Sequence, residues 1–224
     1  DDILSNPIKS ETLSNFSEFI SRIVVDTNLT PNRKLTEQQA HELPCNIRYA
    51  ILIASRIFSL GQVMEFEYTW PNGDKIRYEQ DLKELLFDDY HQSPTEEELN
   101  AKPFAVPYYP FGNTKNFAIT LQSGKEVSYS LLTGKGEAMM MNTPVKTKNL
   151  ELKARNLKLK VEDKWETVQS FALFSPRDMA EIRKSVAEND PYYTGLIELE
   201  HPTKGYKAGF SIMGTPDFFY IAGY

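Results

Sequence analysis

The sequence predicts an α+β fold: an N-terminal helical segment, then mostly antiparallel sheet with two short helices. Three observations lead there. The stretch Cys45–Leu60 is apolar almost throughout and has the length of a core helix. Beyond Gly61 the apolar period changes from that of a helix to that of a strand. Glycine-bearing turns then recur between alternating runs, at Asn72-Gly73, Ser123-Gly124 and residues 201–205.

The elements follow in order. Residues 10–25 put Leu13, Phe16, Ile20, Ile23 and Val24 on one stripe, with Phe19 at its edge, and predict an amphipathic helix capped by Ser10. Residues 28–32, with Pro31, read as a loop. Thr36 and Gln39 form a capping box for a short helix that Pro44 interrupts. In the next helix, Cys45–Leu60, only Arg48, Ser55 and Ser59 make a polar stripe, so burial nearly all round is expected. Met64, Phe66, Tyr68 and Trp70 then alternate with Val63, Glu65, Glu67 and Thr69. Pro71-Asn72-Gly73-Asp74 turns the chain into a returning strand over 75–80. Further hairpins are expected at 117–132 and 196–213. Leu150–Ala154 and residues 157–161 and 165–174 each read as a strand, and Ser175 with Pro176 and Asp178 starts a helix.

The expected division is a helical segment over 1–61 that packs on an α+β region over 62–224. A duplication inside that region is suggested by Ser93-Pro94-Thr95-Glu96 and Ser175-Pro176-Arg177-Asp178, two helix starts of the same design. Each follows an apolar segment and precedes Pro-Tyr-Tyr, at 107–109 and 191–193, so the pseudo-repeats would cover 63–133 and 157–213.

Composition narrows the class of function. The chain of 224 residues is 41% hydrophobic and 25% charged, which suits a packed domain rather than a disordered one. Its net charge is −6, with 9 bases against 18 acids in residues 1–100 and 16 against 13 in the rest. That mild asymmetry lacks the basic excess of a nucleic-acid binder. No apolar run reaches the ~20 residues of a membrane span. The first residues, Asp1-Asp2-Ile3, lack a methionine, from which a processed N-terminus is expected, and with it a secreted or periplasmic location in preference to a cytoplasmic one.

Several residues could carry chemistry. Cys45 follows Pro44 and opens the core helix, where the helix dipole favours a thiolate. A thiol hydrolase would also need a base, for which His91, after Asp88 and Asp89, is the candidate. Cysteine is equally a residue of buried cores. His41-Glu42-Leu43-Pro44-Cys45 does not make a metal site, because Pro44 breaks the helical register and no further ligand cluster follows; neither a metal nor a cofactor is expected. Acids around His91, and Glu65 with Glu67, read as solvated faces. Lys158 and Lys160 alternate with Leu157, Leu159 and Val161 and give a strand with a basic outer face. Tyr108, Tyr109, Tyr192 and Tyr193 belong to connections, where one ring of each pair is expected to face outward, and tyrosine favours contact with partners. These features lead to a non-catalytic binding or assembly protein whose partner is another protein, met through exposed aromatics and the basic strand. The alternatives are a small thiol hydrolase with Cys45 as nucleophile and a structural subunit of a larger particle or secretion machine.

Overall fold

The computed structural model describes residues 14–27, 30, 32–85, 116–144, 149–190, 196–214 and 218. In chain order the helices are α1 (Ser14–Ile23), α2 (Glu37–Glu42), α3 (Cys45–Leu60), α4 (Gly134–Asn142), α5 (Leu150–Ala154) and α6 (Pro176–Asn189). The strands are β1 (Val63–Thr69), β2 (Lys75–Asp81), β3 (Asn116–Thr120), β4 (Glu126–Ser130), β5 (Lys158–Val161), β6 (Lys164–Thr167), β7 (Leu196–Glu200) and β8 (Lys207–Ser211). All pairings are antiparallel: two hairpins, β1-β2 and β7-β8, and a four-stranded sheet in the order β3-β4-β5-β6. The chain is thus α+β.

It divides into two compact units. The first, Asp1–Arg48 with Pro107–Tyr192, contains the four-stranded sheet. The core lies on one face of that sheet, where Val127, Tyr129, Leu152, Leu157, Met179, Ile182 and Val186 pack together with Leu121 and Phe174. Burying each such aliphatic side chain contributes about 1.5–3 kcal/mol. Tyr129 is fully buried, and its hydroxyl is satisfied by Ser185 Oγ at 2.7 Å and Asn189 Nδ2 at 3.2 Å. The Ser175 capping box is formed: its hydroxyl accepts from Asp178 N–H and Asp178 accepts from Ser175 N–H, as the sequence reading has it. The Thr36 box before α2 is formed in the same way, and Pro44 stops α2 by entering an antiparallel bridge with Thr133.

Buried charges cement this unit. Arg155 is fully buried; it donates to the Asp190 carboxylate and, at 2.9 Å, to Glu151 Oε1. Asp190 Oδ2 also accepts the Leu132 N–H at 2.8 Å. Arg48, 2% exposed, donates to Ser17 Oγ at 3.0 Å and to the Ala40 carbonyl. Gly134 faces that guanidinium so closely that a Cβ there would lie 2.5 Å from Arg48 Cζ.

The second unit, Tyr49–Val106 with Tyr193–Tyr224, holds the two hairpins. The Phe66 ring stacks on Phe210 with centroids 4.7 Å apart and on Tyr78 at 5.9 Å. Tyr68 meets Phe210 and Trp70 edge-on, at 5.6 and 5.1 Å. Gly73, at φ +89°, makes the tight turn between β1 and β2 that Asn72-Gly73 announces.

Several expectations need correction. Residues 150–154 form α5, not a strand: Leu150 and Leu152 do alternate with polar residues, but Arg155 closes a helical turn onto Glu151 and is drawn inward by Asp190. The strand expected over 165–174 ends at Thr167; Phe171–Leu173 is a turn of 3-10 helix whose Ala172 N–H donates to the Ser170 hydroxyl. α4 lies where the sequence reading places no element; Gly134 and Gly136 allow close packing there, the first against Arg48 and the second against Ala154 and Leu132. Burial around α3 is uneven. Phe58 is 96% exposed, whereas Arg48, placed on the polar stripe, is buried. Lys158 and Lys160 sit on an interior strand of their sheet, not on an edge; β6 pairs outside it. The duplication is not established. Both segments contain two hairpins, but the β4-β5 pairing joins one segment to the other, and among the described residues no such pairing links β1-β2 with β7-β8. The Ser10 cap, the Ser93 helix start and both Pro-Tyr-Tyr segments lie outside the described residues.

Candidate binding site

Among the described residues, a concavity opens in the second unit, where the turn after β1 meets the start of β8. It measures about 510 Å³ and is lined by Trp70, Pro71, Asn72, Tyr206, Lys207 and Ala208. That volume is in the range of ligand pockets. The sequence places two large rings there for local reasons. Trp70 ends the inward-facing alternation of β1, and Tyr206 closes the turn into β8.

Trp70 is buried and held from behind. Its Nε1–H donates to Tyr78 Oη at 3.0 Å, and Tyr78 in turn donates to the Glu200 carbonyl at 3.1 Å. The His201 ring meets Trp70 edge-on at 5.2 Å and Tyr206 at 5.8 Å. Tyr206 itself is 51% exposed. The groove therefore has a fixed aromatic floor and a second ring open to solvent, an arrangement suited to apolar side chains of a partner.

A polar cluster pins the two turns together within the unit. Asp74 Oδ2 accepts from His201 Nε2 at 3.0 Å and from Lys204 Nζ at 2.7 Å. Lys204, His201 and Asn72 hold the Asp74 carboxyl down at about 2. The Thr203 N–H donates to His201 Nδ1 at 3.3 Å. Both ring nitrogens of His201 are thus engaged, and this Asp–His pair orients the turn. Lys207 pairs with Glu198 at 2.6 Å, which raises its ammonium pKa.

The residues singled out in the sequence fall elsewhere. Cys45 is buried in the first unit, where its thiol donates to Glu137 Oε2 at 3.8 Å. Burial first, and Glu137 second, push that thiol well above its usual range, against the thiolate a nucleophile requires. His91 lies outside the described residues, as do Tyr108, Tyr109, Tyr192 and Tyr193. Lys160 Nζ contacts both oxygens of Glu126 at 3.1 Å. Trp165, opposite Lys160 in the β5-β6 register, is 41% exposed. Among the described residues no three His, Cys, Asp or Glu side chains gather to hold a metal, and no helix is long and apolar enough to cross a membrane.

Sequence reasoning listed the aromatics near turns but passed over Trp70 and Tyr206 as a pair. The alternation of β1 marks Trp70 as inward, yet nothing local shows that a turn over 130 residues later supplies its neighbour. Comparison with known proteins adds no constraint: no family model, curated protein or solved structure matches the chain.

Proposed function

We propose that this chain is a non-catalytic binding or assembly protein that contacts another protein through exposed aromatic side chains, with the groove of Trp70 and Tyr206 as its principal contact. The observation that supports this reading is the pairing of a hydrogen-bonded, buried tryptophan with a half-exposed tyrosine around about 510 Å³ of open space. A ring that is already ordered loses little entropy on binding, which favours a partner's affinity. The basic strand of Lys158 and Lys160 is a second contact in this proposal, and Tyr108, Tyr109, Tyr192 and Tyr193 are further contact residues.

A photo-crosslinking residue at position 206, compared with one at position 184 on α6, tests the reading in material from the native source. The expected result is a single protein adduct formed from position 206 alone, and lost when Trp70 is replaced by Leu in a chain that still melts cooperatively. Equal adduct patterns from both positions, or none from either, would overturn it.

A further inference from the structure

We propose that Arg56 anchors a binding site for a small oxyanion, a phosphate or a carboxylate, in the second unit. The reasoning begins with the sequence around it. Arg56 interrupts the apolar surface of α3, and its neighbours one turn back, Leu52 and Ile53, are fully out of water. A guanidinium keeps its proton in any folded protein, so this charge is buried as a charge. Arg56 is 5% exposed.

Its partners do not match that burial. Nη1 donates to the Gly61 carbonyl at 3.0 Å, a useful cap for the end of α3. Nε is buried and has no hydrogen-bond partner. No carboxylate among the described residues forms an ion pair with Arg56. Burial alone lowers its pKa, with no acidic neighbour to offset it. The other two buried arginines differ. Arg155 holds Asp190 and Glu151; Arg48 reaches a hydroxyl and a carbonyl.

An isolated buried cation costs several kcal/mol unless an anion accompanies it. The cap satisfies one of the five N–H groups and supplies only a partial negative charge. The Nε edge of a guanidinium presents two parallel N–H donors, the geometry that takes two oxygens of a carboxylate or phosphate. A buried Nε–H without an acceptor, on a permanent positive charge, selects an oxyanion over a cation or an apolar ligand.

The test uses the full chain at constant ionic strength in chloride, with inorganic phosphate and acetate titrated separately. Melting temperature is recorded for the wild type, Arg56→Lys and Arg56→Met. The expected result is a saturable rise in the wild type with at least one anion; the responding anion identifies the class. Arg56→Lys should need about tenfold more of it, because an ammonium cannot hold two oxygens in a fork, and Arg56→Met should not respond. Without either anion, Arg56→Met should be at least as stable as the wild type, since an apolar residue replaces an unpaired charge. The order should reverse at saturation. An equal response in the wild type and Arg56→Met would overturn the proposal, because the anion would then bind elsewhere. So would the absence of any response together with an anion-free Arg56→Met that is less stable than the wild type, which would make Arg56 a helix cap alone.

Discussion

Among the described residues, the first unit removes two arginines from water and gives both close polar partners, while the second removes one and offers it a single carbonyl. The first unit fills one face of a four-stranded sheet with mainly aliphatic side chains around Tyr129 and Phe174. The second stacks rings between two hairpins and keeps a groove beside them. The difference separates two uses of polar and aromatic groups. Where buried polar atoms are matched, as at Arg155, Asp190 and Leu132 N–H, they admit one packing and penalise others. Where rings or donors remain open, as at Tyr206 and Arg56, the surface has capacity left for a ligand. In the proposed reading the second unit carries the groove, and the first would add a contact through Lys158 and Lys160.

The largest expected effect tests the first unit. Asp190→Ala would leave the fully buried Arg155 guanidinium with only the partly exposed Glu151 carboxylate and the Leu132 N–H without its acceptor. The expected loss is about 3–5 kcal/mol in urea unfolding. Adding Arg155→Met should restore much of it, because an apolar residue needs no counter-charge. A loss below about 1 kcal/mol for Asp190→Ala would break the contrast.

A smaller effect is expected from Phe66→Leu. It keeps an apolar side chain but removes the stack between Tyr78 and Phe210. The expected cost is about 1–1.5 kcal/mol. Amide hydrogen exchange should quicken in β7 and β8 and stay unchanged in β4. Uniform quickening across both units would show that the rings do not define a separate cooperative region.

How far these features are legible in the sequence depends on the range of the interactions behind them. α3, the β1-β2 hairpin and the Ser175 and Thr36 capping boxes follow from signals within a few residues, and the structure has them. α5 did not follow, because its five residues alternate like a strand and the deciding contact is to Asp190, 35 residues on. α4 hid behind glycines whose purpose, contact with Arg48 and Ala154, is also non-local. The groove joins Trp70 to Tyr206, and no periodicity reports that distance. Arg56 was passed over, since the sequence reading counts only Arg48, Ser55 and Ser59 as polar on this helix; a charge within an apolar helix is a local signal, but the lack of a partner is visible only in three dimensions.

A pH-dependent effect sharpens the account of the first unit. His41 Nδ1 lies 2.9 Å from Ser17 Oγ, which already accepts from Arg48. Burial, then Arg48 and Lys135, lower the His41 pKa below 6.5, while Glu37 and Glu42 act weakly the other way. The unfolded chain thus takes up this proton at a higher pH than the folded one. The stabilisation is complete above pH ~6.5 and is lost as the pH falls through the folded value. Melting temperature should decline on acidification from pH 7 to pH 5, and His41→Gln should flatten that slope. An identical slope in the variant would remove His41 from the explanation.

The smallest effect concerns the basic strand, where stability and binding can be pulled apart. Lys160 and Glu126 form an ion pair whose carboxylate remains 44% exposed, so solvent screens it. Lys160→Met should change stability by less than about 1 kcal/mol in either direction. Its effect on a partner is a separate matter. If the outer face of β5 receives an acidic surface, Lys160→Met should weaken capture of the protein crosslinked from position 206. Glu126→Gln, which frees the ammonium, should strengthen it. Lys158 provides the internal comparison, since it lies on the same face and pairs across to Thr167 rather than to an acid. If Lys160→Met and Glu126→Gln both leave capture unchanged while Lys158→Met also has no effect, the four-stranded sheet contributes no contact. The groove of Trp70 and Tyr206 would then carry binding alone, and the division between a scaffold unit and a binding unit would be complete.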